Sequence, residues 1–250
     1  MIKLERGLCP RELDEEVKKK LTELYSNDKE KDVWNSPIIK KPLKKALMDM
    51  SKNKCAYCEC ILNIESKDVT IDHFLPKVNN ESLVIEWENL LPSCLRCNRK
   101  KNRKEDKIIN PCDDEPKEYL GVKRTGYRLK EINGSGIGYN TIRVLGLNDI
   151  RRVITPRMQV IEKIINKLEE VYGDIKDLEI IMPKYVDRVE SYLSEALSDK
   201  EYSAIASAKI LDDVIFKKIK DLLLSKNLWN FQLKEIELEL KKLALPIIEE

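Results

Sequence analysis

The chain has 250 residues, 36% of them charged and 42% hydrophobic, with only 8 Gly and 10 Pro; this excludes collagen-like, low-complexity and membrane-spanning classes and leaves a soluble, helix-leaning protein of one or two domains. Lys and Arg (46) nearly balance Asp and Glu (44), for a net charge of +2, so no global field draws the chain onto nucleic acid and any basic surface must be local. The small excess of cations falls in residues 1–150, against a small excess of anions in residues 151–250.

The opening Met1–Pro10 is interrupted by Lys3, Glu5 and Arg6 and does not read as a signal peptide, so a cytoplasmic protein is expected. A first helix is predicted from about Pro10 to Tyr25, with Leu13, Val17, Leu21 and Leu24 on one face. A loop over Asn27–Asp32 and a short helix over Pro42–Met50 complete an N-terminal helical segment, residues 1–50. From residue 51 to 118 the pattern changes. Apolar and polar residues alternate through Val69, Ile71 and Phe74, and a loop and a helix after Cys94 follow. Residues 119–148 are broken by the glycines at 121, 126, 134, 136 and 138 and read as a small hairpin or linker.

Beyond Asn148, residues 149–250 carry four helical periodicities: Ile161 to Val171, Val186 to Leu197, Leu211 to Leu222, and Trp229 to Leu243. Ser198 and Glu201 have the spacing of a capping box opening the third. Four amphipathic helices predict a bundle, and their apolar faces, with the tail Leu243–Ile248, are candidates for docking a partner.

Seven cysteines without an export signal favour thiols or metal ligands over disulfides. Cys55 and Cys58 form one CxxC pair, Cys94 and Cys97 another, and two such knuckles make the S4 set that a structural Zn²⁺ prefers. Cys60 could substitute as a ligand, whereas Cys9 and Cys112 lack partners at that spacing. The 35 residues between the pairs contain the chain's single histidine, His73, directly after Asp72. A divalent ion held by the oxygens of Asp72 and Asn98 would clamp a phosphate, and His73, neutral near pH 7, could take a proton from the attacking water. Two oxygen ligands suit Mg²⁺ or Mn²⁺ better than Zn²⁺. Arg96, Arg99, Lys100 and Lys101 crowd the helix that carries Asn98 and are expected to contact the phosphate backbone of nucleic acid.

This order of CxxC, Asp-His, Asn-Leu and CxxC-Asn-x-x-Lys over about fifty residues resembles the HNH nucleases. The resemblance implies a ββα-metal finger in which His73 is the general base, Asp72 and Asn98 bind the catalytic ion, and Asn89 orients the loop carrying the base. The third letter is Asn rather than His, a variant within that family. Met1–Gly7, the Asp-His-Phe-x-Pro-Lys string, Trp87–Leu91, Asn110–Pro116 and Thr141–Asn148 resemble more narrowly the Septu-type, PtuB-like HNH effectors, also met beside retrons. That implies anti-phage defence and a partner ATPase of the ABC/SMC-like class.

The expectation is thus an α+β, predominantly α protein: an HNH finger with structural zinc set among helices, followed by a helical bundle. It would be a metal-dependent endonuclease of DNA, presented as a dimer if both strands are cut. Two rivals stand beside it: a non-catalytic zinc-stapled nucleic-acid-binding or scaffold module, and a nuclease directed at RNA, tRNA included.

Overall fold

A computed structural model describes residues 1–62 and 69–249; residues 63–68, counted within the expected nuclease segment, lie outside the described residues. The fold is mixed and helix-rich. Helix α1, Glu15–Asn27, begins later than the periodicity predicts, because Asp14 accepts the Val17 N–H and caps it while Pro10–Leu13 closes a turn. Helix α2, Lys40–Met50, tolerates Pro42 in its first turn, where the missing N–H has no intrahelical acceptor to lose.

Strands β1, Val69–His73, and β2, Leu90–Cys94, pair antiparallel with Asp72 opposite Leu91 and His73 opposite Leu90. β2 runs directly into helix α3, Leu95–Lys101, whose N-cap is Cys94: its sulfur accepts the Cys97 N–H at 3.4 Å. Residues 119–148 hold the expected hairpin, β3 (Leu120–Lys123) and β4 (Leu129–Glu131), but also helix α4, Gly136–Leu145. The glycines there do not break that helix. Gly138 is required because a Cβ would sit 2.3 Å from the Tyr119 carbonyl, and Gly146, at φ +60°, closes the helix in a left-handed cap.

Five helices follow rather than four: α5, Thr155–Ile175; α6, Pro183–Ser194; α7, Ser203–Asp212; α8, Val214–Ser225; and α9, Phe231–Leu243. The third periodicity is split at Asp213, which turns extended and caps α8 by accepting the Phe216 N–H. The Ser198–Glu201 capping box does not form, because both side chains are used on the first knuckle's segment. Lys52 donates to Ser198 Oγ, Glu201 accepts the Ile61 N–H, and α7 starts instead after Tyr202 at φ +55°. The tail is not free either: Ile247–Ile248 form β5, parallel to β3, and Leu245 is buried. The faces of α5–α9 are likewise spent inside the protein, with Ile161, Leu168, Val189, Ile219, Leu233 and Leu240 among the buried residues.

Two apolar cores result. One joins Met1 and Leu4, the knuckles and the helices after residue 155; the other packs α1 and α2 against Val84, Ile85, Trp87 and Leu90. Segments that read separately in the sequence therefore share a core. Several family-like strings hold this frame together rather than the site. Arg6 donates to the carbonyls of Trp87 and Leu90 at 2.6 and 3.1 Å, Asn110 caps its own turn, and Asn148 exchanges two bonds with the backbone of Leu129. Among the described residues no helix is long and apolar enough to cross a membrane.

Candidate active site and metal centre

Cys55, Cys58, Cys94 and Cys97 are buried, and their sulfurs all lie within 4.8 Å of one another. Ligands about 2.3 Å from a tetrahedral zinc are about 3.8 Å apart, and the Cys58 and Cys94 sulfurs are separated by 3.8 Å. The donor set and its spacing therefore fit Zn²⁺. Cys60 is not one of the four, although its sulfur lies within hydrogen-bond reach of Cys55, Cys58 and Cys94; its carbonyl accepts the Cys55 N–H at 2.9 Å and closes the knuckle. That turn puts Glu59 at φ +63°, a position that favours glycine. Glu59 is kept there by its carboxylate, which accepts from Ser203 Oγ (2.7 Å) and the Ala204 N–H (3.2 Å) and pairs with Lys54 and the Met1 amine. Burial pushes its pKa up, but these cations and donors outweigh it and hold it at about 2.

The strand alternation sorts the site residues. Thr70 and Asp72 share one face of β1 and look toward α3, while Ile71 and His73 look the other way, toward the N-terminal core. Asn98 donates from Nδ2 to Thr70 Oγ1 at 3.0 Å, which leaves its Oδ1 as a donor atom for a cation. Asp72 is buried, with Tyr57 Oη donating to Oδ2 at 2.5 Å and the Lys101 ammonium 3.2 Å from Oδ2 and 3.4 Å from Oδ1. Burial raises the Asp72 pKa despite both partners. At the end of β1 the two faces meet in a cleft of about 670 Å³, lined by Asp72, His73, Asn98, Lys77, Arg99 and Arg103 among others.

His73 is fixed at three points. Nε2 is 2.8 Å from the Val84 carbonyl, the Trp34 ring meets the imidazole edge-on at 5.0 Å, and its own carbonyl accepts from Lys101 Nζ at 2.6 Å. A carbonyl can only accept, so Nε2 carries the hydrogen and the neutral ring keeps its lone pair on Nδ1. Burial first, and then Lys77 and Lys101, push the His73 pKa down to about 4, so the ring is neutral at pH 7. Asn89 staples the loop that follows: its Oδ1 accepts the Leu75 N–H at 2.7 Å, and its Nδ2 donates to the Leu75 and Leu83 carbonyls, each at 3.1 Å.

The four basic candidates on α3 divide. Arg99 and Lys100 are exposed. Arg96 is drawn inward instead: NH1 donates to the carbonyls of Leu145 and Gly146 at the end of α4, and NH2 to Cys97 Sγ at 3.0 Å. Lys101 is fully buried on Asp72 and His73. These two are corrected from surface phosphate contacts to interior counter-charges, one to a knuckle thiolate and one to the Asp-His pair. Sequence reasoning missed Tyr57, Trp34 and the Val84 carbonyl, and it noted Lys77 only as the end of the Asp-His-Phe-x-Pro-Lys string, without a role of its own. The only available signal was for Tyr57, placed between the first two cysteines.

A tetrathiolate pair of knuckles flanking an Asp-His strand, with an Asn on the helix that follows, defines an HNH nuclease domain, and the HNH endonuclease family matches residues 55–104. Similarity extends well beyond that stretch. The Septu protein PtuB of Bacillus thuringiensis is 35% identical over 240 residues, covering 92% of this chain and 90% of that one. The Septu protein PtuB of Bacillus mycoides (strain KBAB4) is 34% identical over 175 residues, covering 56% of this chain and 58% of that one. The chain belongs to the PtuB family of Septu HNH nucleases. No solved structure matches it.

Proposed function

We propose that this protein is a metal-dependent endonuclease that hydrolyses DNA phosphodiester bonds, with a ββα-metal finger as its catalytic unit and structural zinc beneath it. The observation that carries the reading is the His73 imidazole, whose Nε2 is committed to the Val84 carbonyl in the cleft that Asp72 and Asn98 also line. His73 Nδ1 takes the proton of the attacking water. Asp72 and Asn98 offer a carboxylate and an amide oxygen, a hard donor set that fits Mg²⁺ or Mn²⁺. Held by these two residues, such an ion would supply Lewis-acid polarisation of a phosphate oxygen and would stabilise charge on the leaving oxygen. Lys101 opposes the rise in the Asp72 pKa that burial causes and pins the His73 backbone, while Asn89 holds the following loop. Lys77, Arg99 and Arg103 line the cleft and attract the phosphodiester.

Family membership supports a role as the nuclease of a Septu-type anti-phage defence complex, with an ABC/SMC-like ATPase as its partner. The nearly neutral chain and short basic helix leave grip and control to be supplied by that partner. One finger holds one centre, so cutting both strands takes two copies or two encounters.

The test is cleavage of supercoiled plasmid by wild type and His73→Ala, with Mg²⁺, Mn²⁺ or EDTA, alone and with the ATPase. Metal-dependent strand breaks that vanish in the variant are expected. A folded, zinc-loaded wild type that cuts no DNA under any of these conditions would refute the proposal and turn attention to RNA or to pure binding.

A further inference from the structure

The cleft at the end of β1 is not the only opening beside α3. A second groove, of about 490 Å³, lies between α3 and the segment leading into α5, over the wall of Cys58, Cys60 and Cys94. Its cations are Arg96, Arg99 and Lys100 from α3 and Arg152 from the π-helical turn Ile150–Ile154. No carboxylate lines it among the described residues. The nearest acid by sequence, Asp149, caps its own helix, where Oδ1 accepts the Arg152 N–H at 2.9 Å; its charge is felt by Arg96, Lys100 and Arg152, but among the described residues it forms no ion pair with any of them. Arg96 is spent on α4 and Cys97. Arg99, Lys100 and Arg152 are exposed, and none of the three makes a side-chain hydrogen bond or ion pair among the described residues. Between them the groove offers an apolar surface that includes Leu95, Val153 and Pro156.

Two of these residues, Arg99 and Leu95, also line the catalytic cleft. The two openings are thus neighbours across the first turns of α3, with Arg99 on the divide. Three unpaired cations over an apolar surface match a polyanion with flat apolar groups, which is a nucleic-acid strand. A small acidic metabolite would not need the continuity with the cleft.

We propose that the strand being cut crosses α3 at Arg99 and continues into this groove, where Lys100 and Arg152 hold the phosphates flanking the scissile one. This rests on the reading of the cleft as the nuclease site and adds the direction in which substrate leaves it. Arg152 thereby becomes a substrate-positioning residue some fifty positions from the nearest cysteine of the second knuckle.

The experiment measures binding of 5′-fluorescein DNA oligonucleotides, single-stranded and duplex, to the full-length His73→Ala protein at several salt concentrations. Lys100→Ala/Arg152→Ala is added to that background, with Lys234→Ala/Lys242→Ala at exposed positions of α9 as a control of like charge change. For oligonucleotides of about twenty nucleotides, the groove variant is expected to bind about tenfold more weakly, with a log–log salt slope smaller by about 1.5 to 2. For oligonucleotides of four or five nucleotides the difference should shrink to less than about threefold. Equal affinity and slope for the groove variant and its parent on the long oligonucleotides would overturn the proposal. A loss that persists undiminished on the short ones would overturn the path across α3, making the groove a separate site. Plasmid cleavage by the wild type, run in parallel, separates these results from failure of the nuclease reading itself: a protein that binds through the groove but never cuts leaves the path standing and removes the catalysis.

Discussion

Lys101→Met should destabilise the protein through Asp72, not through any lost contact with nucleic acid. The ammonium lies 3.2 and 3.4 Å from the two Asp72 oxygens and 2.6 Å from the His73 carbonyl, and both charged side chains are all but inaccessible to water. At that separation the gross attraction is about 5 kcal/mol for an effective dielectric of about 20. Desolvating the pair cancels much of this, but removing one partner leaves a buried carboxylate supported only by Tyr57, and such half-pairs cost about 3–5 kcal/mol. A loss of about 3 kcal/mol at pH 7 is therefore expected, which for a chain of this length lowers Tm by about 6–12 °C. Urea unfolding of wild type, Lys101→Met, Asp72→Asn and the double variant, with zinc retained throughout, measures the coupling. The double variant should recover about 2 kcal/mol relative to the sum of the singles. Additivity within about 0.5 kcal/mol would refute the reasoning and return Lys101 to the class of solvated surface cations.

Other expectations follow from the same geometry. Asn89→Ala removes three hydrogen bonds to the loop after His73 and should cost about 2–3 kcal/mol, with faster amide exchange over residues 75–83; protection equal to wild type would contradict its stapling role. Cys55→Ser or Cys97→Ser should lose zinc and unfold the finger, whereas Cys60→Ser should keep a full equivalent by metal analysis, since its sulfur is outside the tetrathiolate. Glu237 is partly desolvated, which pushes its pKa up, but hydrogen bonds from Lys220 (2.7 Å) and Lys241 (2.6 Å) outweigh this and lower it. Its contribution, about 1 kcal/mol, is present above the usual Glu range and lost as pH falls through the depressed value. The stability gap between wild type and Glu237→Gln should therefore close on acidification, and a gap that widened instead would reverse the sign assigned here.

How much of this was legible in the sequence depended on the length scale of each signal. Each knuckle, the Asp-His pair and the Asn after the second knuckle are local patterns of a few residues, and the structure sets Asp72, His73, Cys94, Cys97 and Asn98 on one strand pair and one helix, with Cys55 and Cys58 in the turn that precedes them. The apolar periodicities of α5, α6 and α9 were readable for the same reason. What could not be read were contacts set by distant segments. The split between α7 and α8 turns on one cap at Asp213, hidden within an unbroken apolar period. Ser198 and Glu201 have the right spacing for a capping box, yet residues over a hundred positions away compete for both side chains. The apolar tail looks free in one dimension because its partner strand, β3, lies more than a hundred residues earlier.

The basic helix is the sharpest instance, because composition alone misassigns half of it. α3 carries four cations in seven residues, and a charge run of that density reads as a single phosphate-facing surface. A helix cannot present them all to one side. Successive residues rotate by about 100°, so the face that puts Asn98 beside Thr70 also sends Lys101, one turn later, onto Asp72. Arg96 then falls against the end of α4 and the Cys97 sulfur. Only Arg99 and Lys100 remain outside. The interior cations meet local negative charge, a carboxylate in one case and a knuckle thiolate in the other, and that charge is what holds the finger's geometry. The exterior ones, joined by Arg152 from a different segment, stay exposed, and they are the cations that the proposed strand path uses.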